Sequence, residues 1–376
     1  MRYRVAVALL AAGAAGIAWV PALLAWFASW SATVTAAARA AVFLVKVLPM
    51  VPSRPVDYLT KRPVVDRVTY PSRLGPVEGD LYRPASSRPV PGIVVCLGVV
   101  PFGVDHPQVA RLGEALARSG FAALLYWSPA MRDRRLDPDD VESLALAYEW
   151  LAGQPYVDGS RSGLLGTCVG GAFALMAAAH PRIRDDVAFI AAFAPYSSMS
   201  TFVFDVASAP RVRGETREPW QVDPLTREVF ERTIEAALEQ GDGQPVEGPR
   251  AGPAPASDSI AARRLLAAAD PIEAAAALEA LPAALQRRLA ALSPLVTVLE
   301  IRARLIVVGH DRDDQVVPVS ESHQLVAALD GRPGVHYTEF AFFQHATPRR
   351  LSLLPLAREL GRFYRYVYPL FRVTAP

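Results

Sequence analysis

A chain of 376 residues with 52% hydrophobic and 20% charged side chains buries a sizeable core, which excludes a disordered or charge-dominated scaffold. Thirty-nine basic against 37 acidic residues leave a net charge of +2, a field too weak to recruit nucleic acid. Two cysteines, Cys96 and Cys168, make no disulfide framework and no Cys/His spacing suits zinc, so neither a metal nor another cofactor is expected.

In chain order, Val5 to Trp30 is an uncharged stretch of 26 residues behind Arg2 and Arg4. A bilayer needs ~20 apolar residues, so the stretch is long enough to span one and too long for the ~7–15 residue core of a cleaved signal peptide. Trp19, Trp26 and Trp30 gather toward one end, as an interfacial aromatic belt does. The next stretch, Thr33 to Val51, carries Arg39 and Lys46 seven residues apart on one helical face and reads as an interfacial amphipathic helix. The flank after the first stretch is more basic than its start, which favours a cytoplasmic body. Residues 1–55 are therefore expected to anchor the protein at a membrane.

From Val64 the pattern changes to short β-branched runs alternating with helical segments, the signature of a mostly parallel sheet covered on both faces. The predicted strands are Val64–Tyr70, Glu78–Tyr82, Gly92–Gly98, Phe121–Trp127, Ser162–Gly166, Val187–Phe193, Ala303–Val308 and Val335–Phe340. Helices are predicted at Pro107–Ser119, Pro138–Gly153, Val169–His180, Ser320–Leu329 and Arg349–Tyr366. Between Ser197 and Thr297 the alternation stops, and helical periodicity resumes on either side of a Gly/Pro/Ser/Ala linker, Gly241 to Ser259. A span that long inside a domain is usually a lid or an insertion. The expected organisation is a core of residues 56–198 and 298–376, interrupted by a helical cap at 199–297. Phe202, Phe204 and Leu265 are candidates for the wall of a pocket beneath that cap.

The richest stretch is Ser162–Met176, where Gly166-Thr-Cys168-Val-Gly170 stands between an apolar strand and an Ala-rich helix. The form is that of a G-x-S-x-G nucleophile elbow with cysteine at the central position. Glycines permit the tight strand-to-helix turn, and the helix N-terminus that follows stabilises a thiolate and a developing oxyanion. Cys96, inside an apolar strand, is expected to be inert. A nucleophile there needs an acid after a later strand and a histidine after the last one. The strand Ala303–Val308 runs into a turn bearing Asp311, Asp313 and Asp314, and His345 alone among six histidines follows the last strand. Of the others, His106 follows the loop after the Gly92 strand and is a candidate for the border of the pocket, while His180, His310, His323 and His336 read as structural.

With Cys168, the acidic turn and His345 in that order, the sequence resembles the α/β-hydrolase superfamily, and the Cys-Asp-His order resembles the dienelactone hydrolase family over residues 64–366 outside the cap. In that family's D-x-x-V-P turn the acid stands four residues before the proline, which selects Asp314 before Pro318; Phe102 to Asp105 also resembles a family loop. Where dienelactone hydrolases carry a glutamate that contacts the cysteine, this chain has Val99-Val100-Pro101, so the resemblance implies a broader acyl hydrolase of esters, thioesters or lactones. His345, oriented by Asp314, would deprotonate Cys168 for attack on a small acyl substrate. The N–H of Val169 would be one oxyanion donor and that of Val99, or alternatively Val100, the other, since Pro101 has none. A silent binding module and an acyltransferase with the same three residues are the alternatives.

Overall fold

The computed structural model describes residues 30–48, 54–101, 106–208, 210–213, 216–240, 256–268, 270–345, 347–348 and 352–375. The stretch Val5–Trp30 apart from Trp30, the loop Phe102–Asp105 and residues 241–255 of the predicted linker lie outside them. Runs of β-branched and small apolar residues form β1 (Val64–Tyr70), β2 (Val77–Arg83), β3 (Val90–Cys96), β4 (Ala122–Tyr126), β5 (Val157–Thr167) and β6 (Phe189–Phe193). A short ribbon of β7 (Pro210–Arg213) and β8 (Thr216–Pro219) follows, then β9 (Leu305–Asp311) and β10 (Val335–Phe340). The main sheet has eight strands in the order β1-β2-β4-β3-β5-β6-β9-β10. It is parallel from β4 to β10, and β2 alone runs against its neighbours. All eight predicted strands are present; the ribbon was not anticipated, because its strands are four residues each and carry no alternation.

The helices are α1 (Trp30–Val47), then α2 (Arg54–Leu59), α3 (Pro107–Arg118), α4 (Pro129–Arg132), α5 (Asp139–Ala152) and α6 (Val169–Ala179). Between β6 and β9 come α7 (Met199–Ser208), α8 (Pro224–Gln240), α9 (Ala256–Leu266), α10 (Pro271–Glu279), α11 (Ala283–Ala291) and α12 (Pro294–Thr297), and α13 (Val319–Ala328) and α14 (Leu353–Val373) close the chain. Side chains alternate across the strands and feed two cores. Val94 and Cys96 face α5, α6 and α13, whereas Ile93 and Val95 face α1, α3 and α14. Every residue of the Ala-rich α6 is buried. On β4 and α5, the buried Asp140 accepts from the Tyr126 hydroxyl at 2.9 Å and the Ser128 hydroxyl at 2.5 Å, and burial pushes its carboxyl up to about 6.

The α1 helix is long and apolar enough to cross a membrane, yet it docks on the body. Ala32, Ala36, Ala40 and Phe43 form its buried stripe at helical spacing. The two cations expected to face headgroups are turned inward. Arg39 donates to the carbonyls of Ser119 (2.6 Å) and Gly120 (3.4 Å) at the end of α3 and of Thr374 (3.2 Å) at the end of α14, where helix C-termini favour positive charge. Its guanidinium lies 5.1 and 5.4 Å from the rings of Phe121 and Phe371. Lys46 is paired with Asp57 at 2.7 Å.

Candidate functional site

The turn from β5 into α6 folds as the spacing predicts. Cys168 stands at the helix N-cap with φ 55° and ψ −132°, a conformation that L-residues rarely adopt and that a rigid frame must hold. The frame is local: the Cys168 N–H donates to the Phe193 carbonyl at 2.8 Å, and a Cβ at Gly166 would strike the Gly170 carbonyl while one at Gly170 would strike that of Cys96. Gly98, with φ +75°, lies against Val169 and Gly170, which carries the segment 97–101 beside the elbow. The Val169 N–H is the first of α6 and has no partner within the helix.

Asp314 is 1% exposed. Its Oδ1 accepts the Val316 and Val317 N–H groups at 2.7 and 3.0 Å, and its Oδ2 accepts His345 Nδ1–H at 2.9 Å. Burial works to raise this carboxyl, but His345 and these donors outweigh it and hold it below the usual range. His345 has φ +58°, and the Cys168 side chain lies close enough to its imidazole to act on its charge. With Nδ1 engaged by Asp314, Nε2 is the nitrogen left for the sulfur. Burial would push His345 down, but the neighbouring Cys168 and Asp314 outweigh it and hold it well above its ordinary range. The fold thus brings Cys168, Asp314 and His345 together from three distant segments.

The other candidates meet different partners. Asp311 accepts the Asp313 N–H at 2.9 Å and the Phe343 N–H at 2.6 Å, so it fixes the segment that leads to His345. His310 is fully buried, with Nε2–H donating to the Val317 carbonyl (2.9 Å) and Nδ1 accepting from the Ser322 hydroxyl (2.6 Å). Burial pushes it down, so it is neutral beside Asp314. His106 caps α3 by accepting the Gln108 N–H, His180 accepts the Arg182 N–H, and His323 lies 2.7 Å from Glu339. The buried Glu321 went unnoticed in the sequence. It accepts from the Ser197 N–H and hydroxyl and from the Ser198 N–H (2.7, 2.6 and 3.2 Å) and from the Thr201 hydroxyl (2.9 Å), tying α13 to the segment after β6. Its only signal is a glutamate in a helix's first turn, which more often interacts with the helix dipole than with a distant loop.

Phe202 stacks on Tyr196 and Trp220 and meets Phe230 edge-on, and Leu265 is fully buried in the same core. Among the described residues no group of three or more His, Cys, Asp and Glu side chains could hold a metal ion.

No family model matches the sequence, and no curated protein does. Among solved structures the chain is similar to a 2,6-dihydroxy-pseudo-oxynicotine hydrolase, with a TM-score of 0.51 and 16% identity over 83% of this chain and 68% of that one. It is similar to the uncomplexed acylaminoacyl peptidase of Pyrococcus horikoshii, with a TM-score of 0.51 and 16% identity over 83% and 41% of the two chains. An acylaminoacyl peptidase in complex with Z-Gly-Gly-Phe-chloromethyl ketone gives 0.50 and 16% over 81% and 40%. This chain spans about two fifths of the length of those peptidases. The likeness shows the fold, an eight-stranded, mostly parallel sheet of the α/β-hydrolase kind.

Proposed function

We propose that this protein is an acyl hydrolase of esters, thioesters or lactones that uses Cys168 as nucleophile, His345 as acid and base, and Asp314 as the group that orients His345. One observation carries the reading: a cysteine in the strained elbow conformation lies beside a histidine whose Nδ1 is 2.9 Å from a buried carboxylate. The direction of the His345 shift supports a proton resting on the imidazole. In the first half-reaction the sulfur bonds to the acyl carbon, and His345 Nε2–H gives its proton to the departing oxygen or sulfur. In the second, His345 takes a proton from water, which attacks the thioester carbonyl and releases acid and thiolate. The N–H groups of Val169 and Val99 are the proposed oxyanion donors.

Within this reading residues 56–198 and 298–376 form the hydrolase core and residues 199–297 a cap. The uncharged stretch Val5–Trp30 supports attachment to a membrane by residues 1–55, with the body in the cytoplasm. The test of the chemistry is an acyl-ester series run on wild type and Cys168→Ala in parallel. Turnover by the wild type that is lost in the variant is expected; equal turnover by both would exclude Cys168 as nucleophile.

A further inference from the structure

On the face of the sheet away from the insertion, β3, β5 and β6 and the helices α1, α3 and α14 line a half-open cavity of about 240 Å³. Phe43 of α1, tilted against Phe363 and Phe371 at 6.4 and 5.9 Å, forms part of its outer wall. The lining is apolar but for a few groups, and two of these are already engaged: the Thr167 hydroxyl donates to the Leu97 carbonyl at 3.0 Å and the Tyr366 hydroxyl to the Ala192 carbonyl at 3.2 Å. A space so lined offers water few partners and takes an apolar guest, as a ~150 Å³ cavity lined by Leu, Ile and Phe takes benzene.

Its upper wall comes from the segments that carry the candidate site. Thr167 directly precedes Cys168, Leu97 and Val100 flank the loop around Val99, and Phe343 stands two residues before His345. Gln108 and Arg111, the remaining polar lining residues, lie in the first turns of α3 at that same end. At the other end Phe121 and Phe371 form a floor, backed by the Arg39 guanidinium.

We infer that this cavity is the acyl subsite: the alkyl chain of a linear acyl group whose carbonyl stands at Cys168 runs down the sheet face opposite the helical insertion. The inference rests on Cys168 as nucleophile. At ~30 Å³ for a water-sized group, the space holds about eight methylenes, and the Phe121–Phe371 floor sets the limit. The substrate class is therefore medium-chain acyl esters or thioesters, with preference rising to about eight carbons and falling beyond.

Two measurements test this and separate it from the nucleophile assignment. In the first, octanoic acid with a diazirine at its terminal carbon is photolysed on full-length Cys168→Ala protein, which requires no turnover. Label on Phe121, Ile93 or Phe371, competed by unlabelled octanoate, is the expected result; label on α7 to α11, or label that octanoate does not compete, overturns the subsite. In the second, Ala191→Leu and Val109→Phe put bulk into the cavity, and the octanoyl-to-acetyl ratio of kcat/KM is compared with wild type. Each methylene kept out is worth about fourfold, so a fall of at least about tenfold is expected, with melting curves showing that each variant folds. An unchanged ratio in both folded variants overturns the proposal. Activity surviving in Cys168→Ala would instead sink the nucleophile and leave the photolabelling result standing by itself.

Discussion

Asp311, Asp313 and Asp314 stand within four residues at the end of β9 and on the turn after it, and what each carboxyl meets ranks the consequences of losing it. Asp314→Asn is expected to lower kcat by orders of magnitude, ~10⁴ where the corresponding aspartate of a serine protease is neutralised. Asp311→Asn should fall between, because an amide facing the Phe343 N–H leaves a buried donor unmatched, at about 1–3 kcal/mol, and loosens the segment before His345. Asp313→Asn should change kcat least. Kinetics of the three variants check the order, and equal losses would show that the acid has been misassigned. The pH profile adds a second reading. Because His345 is raised, its proton is kept through neutral pH and lost as pH rises through the elevated pKa. The step that protonates the leaving group should therefore hold past pH 7 and fall on the alkaline side. Asp314→Asn removes one of the charges that raise His345, so that limb should move toward lower pH. The cysteines divide as sharply. Cys96 is 1% exposed and burial pushes its thiol up to about 12, so iodoacetamide should modify Cys168 alone and abolish turnover; alkylation mainly at Cys96 would contradict this.

At the scale of elements, the strands were legible because β-branched runs bounded by glycine, proline and charge leave few alternatives; β1 and β10 coincide with their predicted bounds. The elbow was legible because its glycines and central cysteine form a five-residue pattern between a strand and a helix, although the close approach that requires Gly170 is to the distant Cys96 carbonyl. What sequence did not reveal was the inward turn of α1. Two carbonyl partners of Arg39 lie 80 and 335 residues away, and a cation on an apolar helix reads the same whether it meets a lipid phosphate or a helix end. The cavity was illegible for a related reason, since it is a gap between elements and belongs to no segment. Burial, with Arg161 nearby, lowers Arg39 to about 10, so it is charged at neutral pH. Arg39→Ala leaves the carbonyls at the ends of α3 and α14 without this donor and should cost ~2–4 kcal/mol in stability, read as a lower Tm. Deleting residues 1–55 would also strip Ala36, Ala40, Phe43 and Leu48 from the second core. That truncation should be unstable, whereas a cut before Trp30 should leave a folded body released from membranes. Fractionation and thermal melts of both truncations test this, and equal stability would show that α1 adds nothing to the core.

For the whole molecule, Asp140 sets a dependence of stability on pH. Its folded pKa of about 6 exceeds the ~3.9 of an unfolded chain, so the folded state binds the proton more tightly. Stability should thus fall as pH rises between those values and stay lower above them, by at most ~3 kcal/mol. Asp140→Asn keeps an acceptor for Tyr126 and should flatten that slope, as urea melts at pH 4 and pH 7 would record; a wild-type slope in the variant would count against Asp140 as its source.

The docking of α1 also orients the molecule. Arg39 sits at the ends of α3 and α14, beside the amino ends of the parallel strands, and nine more residues lead back to Trp30, a helical rise of ~13 Å directed away from Cys168 at their carboxyl ends. Trp30 thus stands at the pole opposite Cys168. If the segment before Trp30 is held in a bilayer, as proposed, the body hangs as from a leash with Cys168 facing water. Acyl donors would then arrive by diffusion through solvent, and the catalyst would be confined to a surface while its substrate pool is not.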